Sequence, residues 1–246
     1  MRPKVSYGYY HEAWSEHANT LRALIEQNKV SRVCEVGGGA NPLLPLDYLR
    51  ARNIEYTILD VSQEELDKAP SDYRKVVADI CDSNIRGLGE FDLVFTKMLA
   101  EHVRDGGAFH RNVYGMLSPG GLAFHFFPTL FTPPLIFNWL LPECITRRLL
   151  QVFVPRDQTK HGKFPAHYSW CRGPSMRQIA RLTELGFEIV EYRGFFGHGY
   201  YKRIPGLRDA SAAIARRLIR HPVPSLTTFA YVIARKPNAS LYANKS

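Results

Sequence analysis

From about residue 31 the chain alternates short apolar runs with amphipathic or polar stretches, the rhythm of strands and helices that build a parallel sheet. The first run ends in Cys34-Glu35-Val36. Others occupy residues 54–60, 73–78, 91–96 and 122–127, the last entered through Leu117-Ser118-Pro119-Gly120-Gly121, which reads as a turn. The rhythm then breaks: residues 129–173 are aromatic and proline-rich, longer than an ordinary connection. It resumes with a helix near 175–185 stopped by Gly186, a strand at 187–193, a helix near 207–220 and a strand at 227–234. Upstream, Leu21, Leu24 and Ile25 have the spacing of a helix that leads into the first strand, behind a cluster of Tyr7, Tyr9, Tyr10, Trp14 and His17.

These patterns predict one α/β domain of 246 residues. Residues 1–30 form an N-terminal helical lid, 31–128 a ligand-binding core, 129–173 a cap over the substrate, 174–236 the completion of the sheet and 237–246 a tail. The cap falls over the carboxyl ends of the strands, where open α/β sheets bind ligands.

Candidate chemistry begins at Cys34-Glu35-Val36-Gly37-Gly38-Gly39-Ala40-Asn41-Pro42, where a strand runs straight into glycines. Bare backbone at that point lets a nucleotide-like ligand approach closely. A dinucleotide fingerprint would want a third glycine where Pro42 stands. Glu35, two residues before Gly37, would repel a phosphate but suits an ammonium or sulfonium, and S-adenosylmethionine carries both. Asp60, about 25 residues further on at the end of the second strand, is placed to accept two ribose hydroxyls.

This ordered series, with Asp79-Ile80 after strand three and Lys97-Met98-Leu99-Ala100-Glu101-His102 after strand four, resembles the class I S-adenosylmethionine-dependent methyltransferases, especially the type 11-like small-molecule group. The resemblance covers residues 31–128. It implies a Rossmann-like, seven-stranded, mostly parallel sheet with helices on both faces and the last strand antiparallel. It implies S-adenosylmethionine as cofactor, with the methionine part at Glu35, Gly37, Gly38 and Gly39, the ribose at Asp60 and Val61, the adenine at Asp79 and Ile80, and Lys97 as a further cofactor contact. Asn41 stands where many members have a further glycine, and asparagine tolerates the left-handed conformation needed there.

Composition narrows the partners. Cysteines at 34, 81, 144 and 171 form neither a C-x-x-C pair nor a zinc spacing, so no metal site and no disulfide framework is expected. With no apolar leader after Met1-Arg2-Pro3-Lys4, the chain reads as cytoplasmic. The net charge of +9 is uneven: residues 1–145 hold 14 Lys/Arg against 18 Asp/Glu, whereas residues 146–235 hold 16 against 5. A basic half outside the cofactor core favours an anionic partner: a small substrate bearing a carboxylate or phosphate, a peripheral contact with an anionic membrane, or nucleic acid. Nucleic acid is disfavoured, because Thr96-Lys97-Met98-Leu99 stands where enzymes acting on exocyclic amines carry an Asn/Asp-Pro-Pro-aromatic loop.

A sulfonium is already an activated methyl donor, so alignment and exclusion of water matter most. A hydroxyl nucleophile also gains from a base, and His102, a few residues past strand four, is the first candidate. His198, in Phe195-Phe196-Gly197-His198-Gly199, is the second. The function expected is methyl transfer to the oxygen of a hydrophobic or aromatic metabolite with an acidic group. Alternatives are a nucleic-acid methyltransferase, a membrane-associated lipid or quinone methyltransferase, and a cofactor-binding protein without turnover.

Overall fold

The computed structural model describes residues 3–83, 85, 88–130, 165–199 and 205–238. In chain order they form β1 (Lys4–Tyr9), α1 (Tyr10–Ser15), α2 (His17–Gln27), β2 (Arg32–Val36), α3 (Leu46–Ala51), β3 (Glu55–Asp60), α4 (Gln63–Lys68), β4 (Arg74–Val77) and β5 (Phe91–Lys97). A 3-10 turn (Ala100–His102), α5 (Gly106–Met116), β6 (Leu117–Pro128), α6 (Met176–Glu184), β7 (Glu188–Phe196), α7 (Pro205–Arg220) and β8 (Phe229–Arg235) follow.

The strands make one sheet in the order β1-β7-β8-β6-β5-β2-β3-β4. Only β8 runs against its neighbours, β6 and β7. From β2 the chain steps outward to β3 and β4, then returns to β5 on the other side of β2. The carboxyl ends of β2 and β5 therefore flank a topological switch point, the crevice that such sheets offer to ligands.

All seven expected strands are present, and β1 is an eighth. It pairs in parallel with β7 from Lys4 opposite Glu191 to Tyr9 opposite Phe196, and the Tyr7 ring stacks on Phe196 at 5.4 Å. Residues 4–9 are thus part of the sheet edge, and the helical portion of the expected lid starts at Tyr10. The 117–121 turn is likewise taken into the ladder: Leu117 pairs with Phe91 before a register shift ahead of Leu93.

Helix boundaries follow local chemistry. Ser62 caps α4 by accepting from Glu65 N at 3.2 Å, with Glu64 and Glu65 in the first turn and Lys68 in the last. Asp105 caps α5 through Gly107 N and Ala108 N, and Ser175 caps α6 through Gln178 N. Both faces of the sheet are covered. On one, α5 and α6 contribute Phe109, Val113, Ile179 and Leu182 to a core with Val36, Val94 and Tyr192. On the other, α2, α3 and α4 contribute Leu21, Ile25, Leu49 and Leu66 to a core with Phe95 and Phe124.

Most of the expected cap, 131–164 with Trp139, lies outside the described residues, as do Tyr200, Tyr201 and the tail from 239. The remainder of that cap packs back onto the core. His167 N and Tyr168 N both donate to the Glu101 carbonyl, at 2.7 and 3.0 Å, while Tyr168 and Cys171 are buried.

Candidate functional site

The glycine loop leaves β2 at the switch point, and each of its positions is crowded for a different reason. At Gly37 the backbone has φ +80°, and an added Cβ would lie 2.5 Å from Leu99 Cδ1. Gly39 has φ +41°, and an added Cβ there would lie 3.2 Å from Asp60 Oδ2. The loop thus closes directly against the carboxylate at the end of β3, so that a side chain at Gly39 would press on it. One expectation is amended: the Gly37 N–H is not bare, because it donates to Leu59 O at 2.7 Å and extends the β2–β3 ladder by one residue.

Glu35 is buried under this loop. Its Oε2 accepts from Leu43 N at 3.0 Å and from the Tyr56 hydroxyl, and its Cδ lies 2.9 Å from where a Gly38 Cβ would be. Burial pushes its carboxyl up to about 7 against the opposing pull of those hydrogen bonds and of Lys97. The side chain therefore holds the 37–43 loop down onto the sheet. Asp60 is half-buried, accepts from Ser62 N at 3.0 Å through Oδ1, and turns Oδ2 toward Gly39. Val61, 62% exposed, follows it on the rim. Asp79 is exposed and accepts from Cys81 N at 2.8 Å, whereas Ile80 is buried in the core beside Val36 and Leu59. Lys97, at the end of β5, carries its Nζ 5.9 Å from the centre of the half-exposed Trp14 ring.

Past β5 the backbone is tight: Met98 has φ +55°, and its N–H donates to Phe126 O at 2.8 Å. His102 ends the 3-10 turn. Its Nδ1 lies 3.0 Å from the Pro165 carbonyl, which can only accept, so Nδ1 carries the proton and Nε2 is the basic nitrogen of the neutral ring. That Nε2 is 3.8 Å from Glu101 Oε1. Sequence reasoning passed over Glu101, yet it is buried, its Oε2 has no hydrogen-bond partner among the described residues, and burial raises its carboxyl to about 8. A lone acid between Ala100 and His102 carries no periodic signal of burial; tertiary contact with 167–171 creates it.

His198 is not near His102. It lies past the end of β7, half-buried and with its pKa lowered by burial, three strand positions from β5 in the sheet order. Trp170, expected in the cap, packs on the start of α5, within 2.8 Å of where a Gly106 Cβ would be, with Arg181 over its ring. Among the described residues no group of three or more His, Cys, Asp or Glu could hold a metal ion.

A crowded glycine turn, a strand-end carboxylate beside it and an ordered rim lie together at the switch point. A methyltransferase-domain family model matches residues 8–192, three quarters of the chain and every element of that corner. The chain belongs to the methyltransferase-domain family.

Solved structures agree on the fold of this methyltransferase. The N-methyltransferase NodS from Bradyrhizobium japonicum WM9, in complex with S-adenosyl-L-homocysteine, aligns over 92% of this chain and 88% of its own with TM-score 0.52 and 16% identity. An S-adenosylmethionine-dependent methyltransferase from Mesorhizobium loti aligns over 88% and 96%, with TM-score 0.53 and 17% identity. Another from Clostridium acetobutylicum ATCC 824 aligns over 92% of each chain, with TM-score 0.55 and 13% identity. A search of curated protein sequences finds no match. Among the described residues no helix is long and apolar enough to cross a membrane.

Proposed function

We propose that this methyltransferase uses S-adenosylmethionine to methylate an oxygen of a hydrophobic or aromatic small molecule that carries an acidic group. One observation carries the cofactor assignment: the glycine turn at the end of β2 is packed against Leu99 at Gly37 and against the strand-end carboxylate of Asp60 at Gly39, which sets side-chain-free backbone and a ribose acceptor side by side at the switch point. When bound, the cofactor supplies a sulfonium-activated methyl group. Asp60 accepts the ribose hydroxyls, Val61 and Asp79 line the nucleoside side, and Glu35 keeps the loop seated from below. Lys97 and Trp14 wall the rim between the corner and the N-terminal helices.

His102 Nε2 takes the proton from the acceptor hydroxyl. The Pro165 carbonyl holds the ring in the required tautomer, and the buried Glu101 carboxyl lies 3.8 Å from Nε2, where any negative charge on it would stabilise the imidazolium that forms. The charge asymmetry of the chain supports an acidic acceptor. The test is transfer of isotopically labelled methyl to a panel of hydroxylated acids, with His102→Ala as control. A positioned base contributes about 10²–10⁴-fold, so kcat should fall by that order while cofactor affinity holds. A kcat within a few-fold of wild type would remove His102 from the role.

A further inference from the structure

A cavity of about 570 Å³ opens not above the Gly37–Asp60 corner but at the carboxyl end of β7, under α7. It has the size of a small-molecule site. Tyr9, Tyr10 and Phe196 wall it on the strand side. Gly197, at φ +86°, passes so close that an added Cβ would lie 3.3 Å from both Tyr10 Cδ1 and Ala215 Cβ, which fixes the backbone of the wall between ring and helix. Arg208 and Arg216 stand on the same face of α7, eight residues and roughly 12 Å apart along its axis. His198 completes the rim, and among the described residues no carboxylate lines the space, although Asp209 lies beside Arg208 and Arg216. Arg208 spends its Nε on Asp209 at 2.9 Å, which leaves the other edge of its guanidinium fork for a ligand. An aromatic wall facing two guanidiniums suits an amphipathic anion. It does not suit a cation or a neutral polar solute.

We infer that this cavity holds the anionic end of the methyl acceptor, a carboxylate or phosphate gripped by Arg208 and Arg216, with the adjoining aromatic or acyl body against Tyr9, Tyr10 and Phe196. The inference rests on the methyl-transfer reading for the acceptor's other end. β7 and β5 are three positions apart in the sheet order, and at about 4.8 Å per strand the cavity is roughly 14 Å from the rim where His102 stands. The acceptor is therefore elongated, with acid and nucleophile at opposite ends. A compact hydroxy acid on a single ring falls short of that span.

Calorimetry on the full chain saturated with S-adenosylhomocysteine tests this, using 12-hydroxydodecanoate, dodecyl phosphate, 1,12-dodecanediol and 4-hydroxybenzoate. The two long anions should bind, whichever headgroup is preferred. The diol and the single-ring acid should bind at least roughly tenfold more weakly. In Arg208→Ala/Arg216→Ala the affinity for both long anions should fall roughly tenfold or more, as expected for lost charged hydrogen bonds, with S-adenosylhomocysteine affinity within twofold. Ala212→Trp, which fills the cavity without changing charge, should do the same and decides the matter if the double variant folds poorly. Absence of long-anion binding to wild type, or binding unaffected by both variants, overturns the inference. Failure of S-adenosylhomocysteine to bind would instead strike the methyl-transfer reading, and titrating the anions without it would still report on the cavity.

Discussion

A methyl group placed at Gly37 would meet Leu99 at 2.5 Å on a backbone held at φ +80°, so Gly37→Ala combines a clash with a strained conformation. It should destabilise the fold by about 1–3 kcal/mol and displace the 98–99 turn; a melting temperature equal to wild type would contradict this crowding. Glu101 makes a prediction with a sign. Burial raises its carboxyl from 4.5 to about 8, so the folded chain retains a proton that the unfolded chain releases between those values. The stability this confers is complete below pH 4.5 and is lost as the pH rises through 8. Glu101→Gln should melt near wild type at pH 5 and above it at pH 9, by roughly 2–4 °C for each kcal/mol relieved; the same offset at both pH values would contradict it. At this scale the placement of Gly37 and Gly39 in a turn after β2 and of Asp60 at the end of β3 was legible from sequence, because motif spacing and strand ends are local signals. The burial of Glu35 under its own loop and of Glu101 under residues 167–171 was not, since both depend on what the chain folds over them.

At the scale of elements, the core strands announced themselves by apolar runs, because a parallel strand covered on both faces has few polar positions. β1 did not. Lys-Val-Ser-Tyr-Gly-Tyr mixes polar and aromatic residues as an edge strand can, and its partner β7 is more than 180 residues away in the chain. Once β1 is in place, α1 is held against the sheet by Arg193, whose guanidinium pairs with Glu12 at 2.7 Å and Glu16 at 2.5 Å, and by the Tyr231 hydroxyl on the Ala13 carbonyl. The Arg193 and Glu12 side chains are mostly buried, so Arg193→Ala should cost about 1.5–3 kcal/mol, typical of charged hydrogen bonds, and loosen α1. Amide exchange confined to residues 10–15 should accelerate; unchanged protection there would show that apolar contacts alone seat the helix. The separation of His198 from His102 is an element-scale fact too, fixed by strand order. Sequence offered both histidines as bases, and the sheet puts one beside β5 and the other at a cavity three strands away.

Across the whole molecule the sheet presents two features along one rim: the glycine-turn corner at the switch point of β2 and β5, proposed for the cofactor, and the cavity at the β1–β7 flank, proposed for the acceptor's anionic end. The acidic first half of the chain builds the former and the basic second half supplies α7 to the latter. Everything proposed about the acceptor presupposes that the corner takes S-adenosylmethionine. Isothermal titration of S-adenosylmethionine into the wild-type chain and into Asp60→Ala tests that most directly. The wild type should bind one equivalent, and loss of the carboxylate proposed to hold the ribose should weaken binding roughly tenfold or more, at about 1.5–3 kcal/mol for the hydrogen bonds removed, in a protein that remains folded. Equal affinity in a folded Asp60→Ala variant, or tight binding of NAD in place of S-adenosylmethionine by the wild type, would contradict the account.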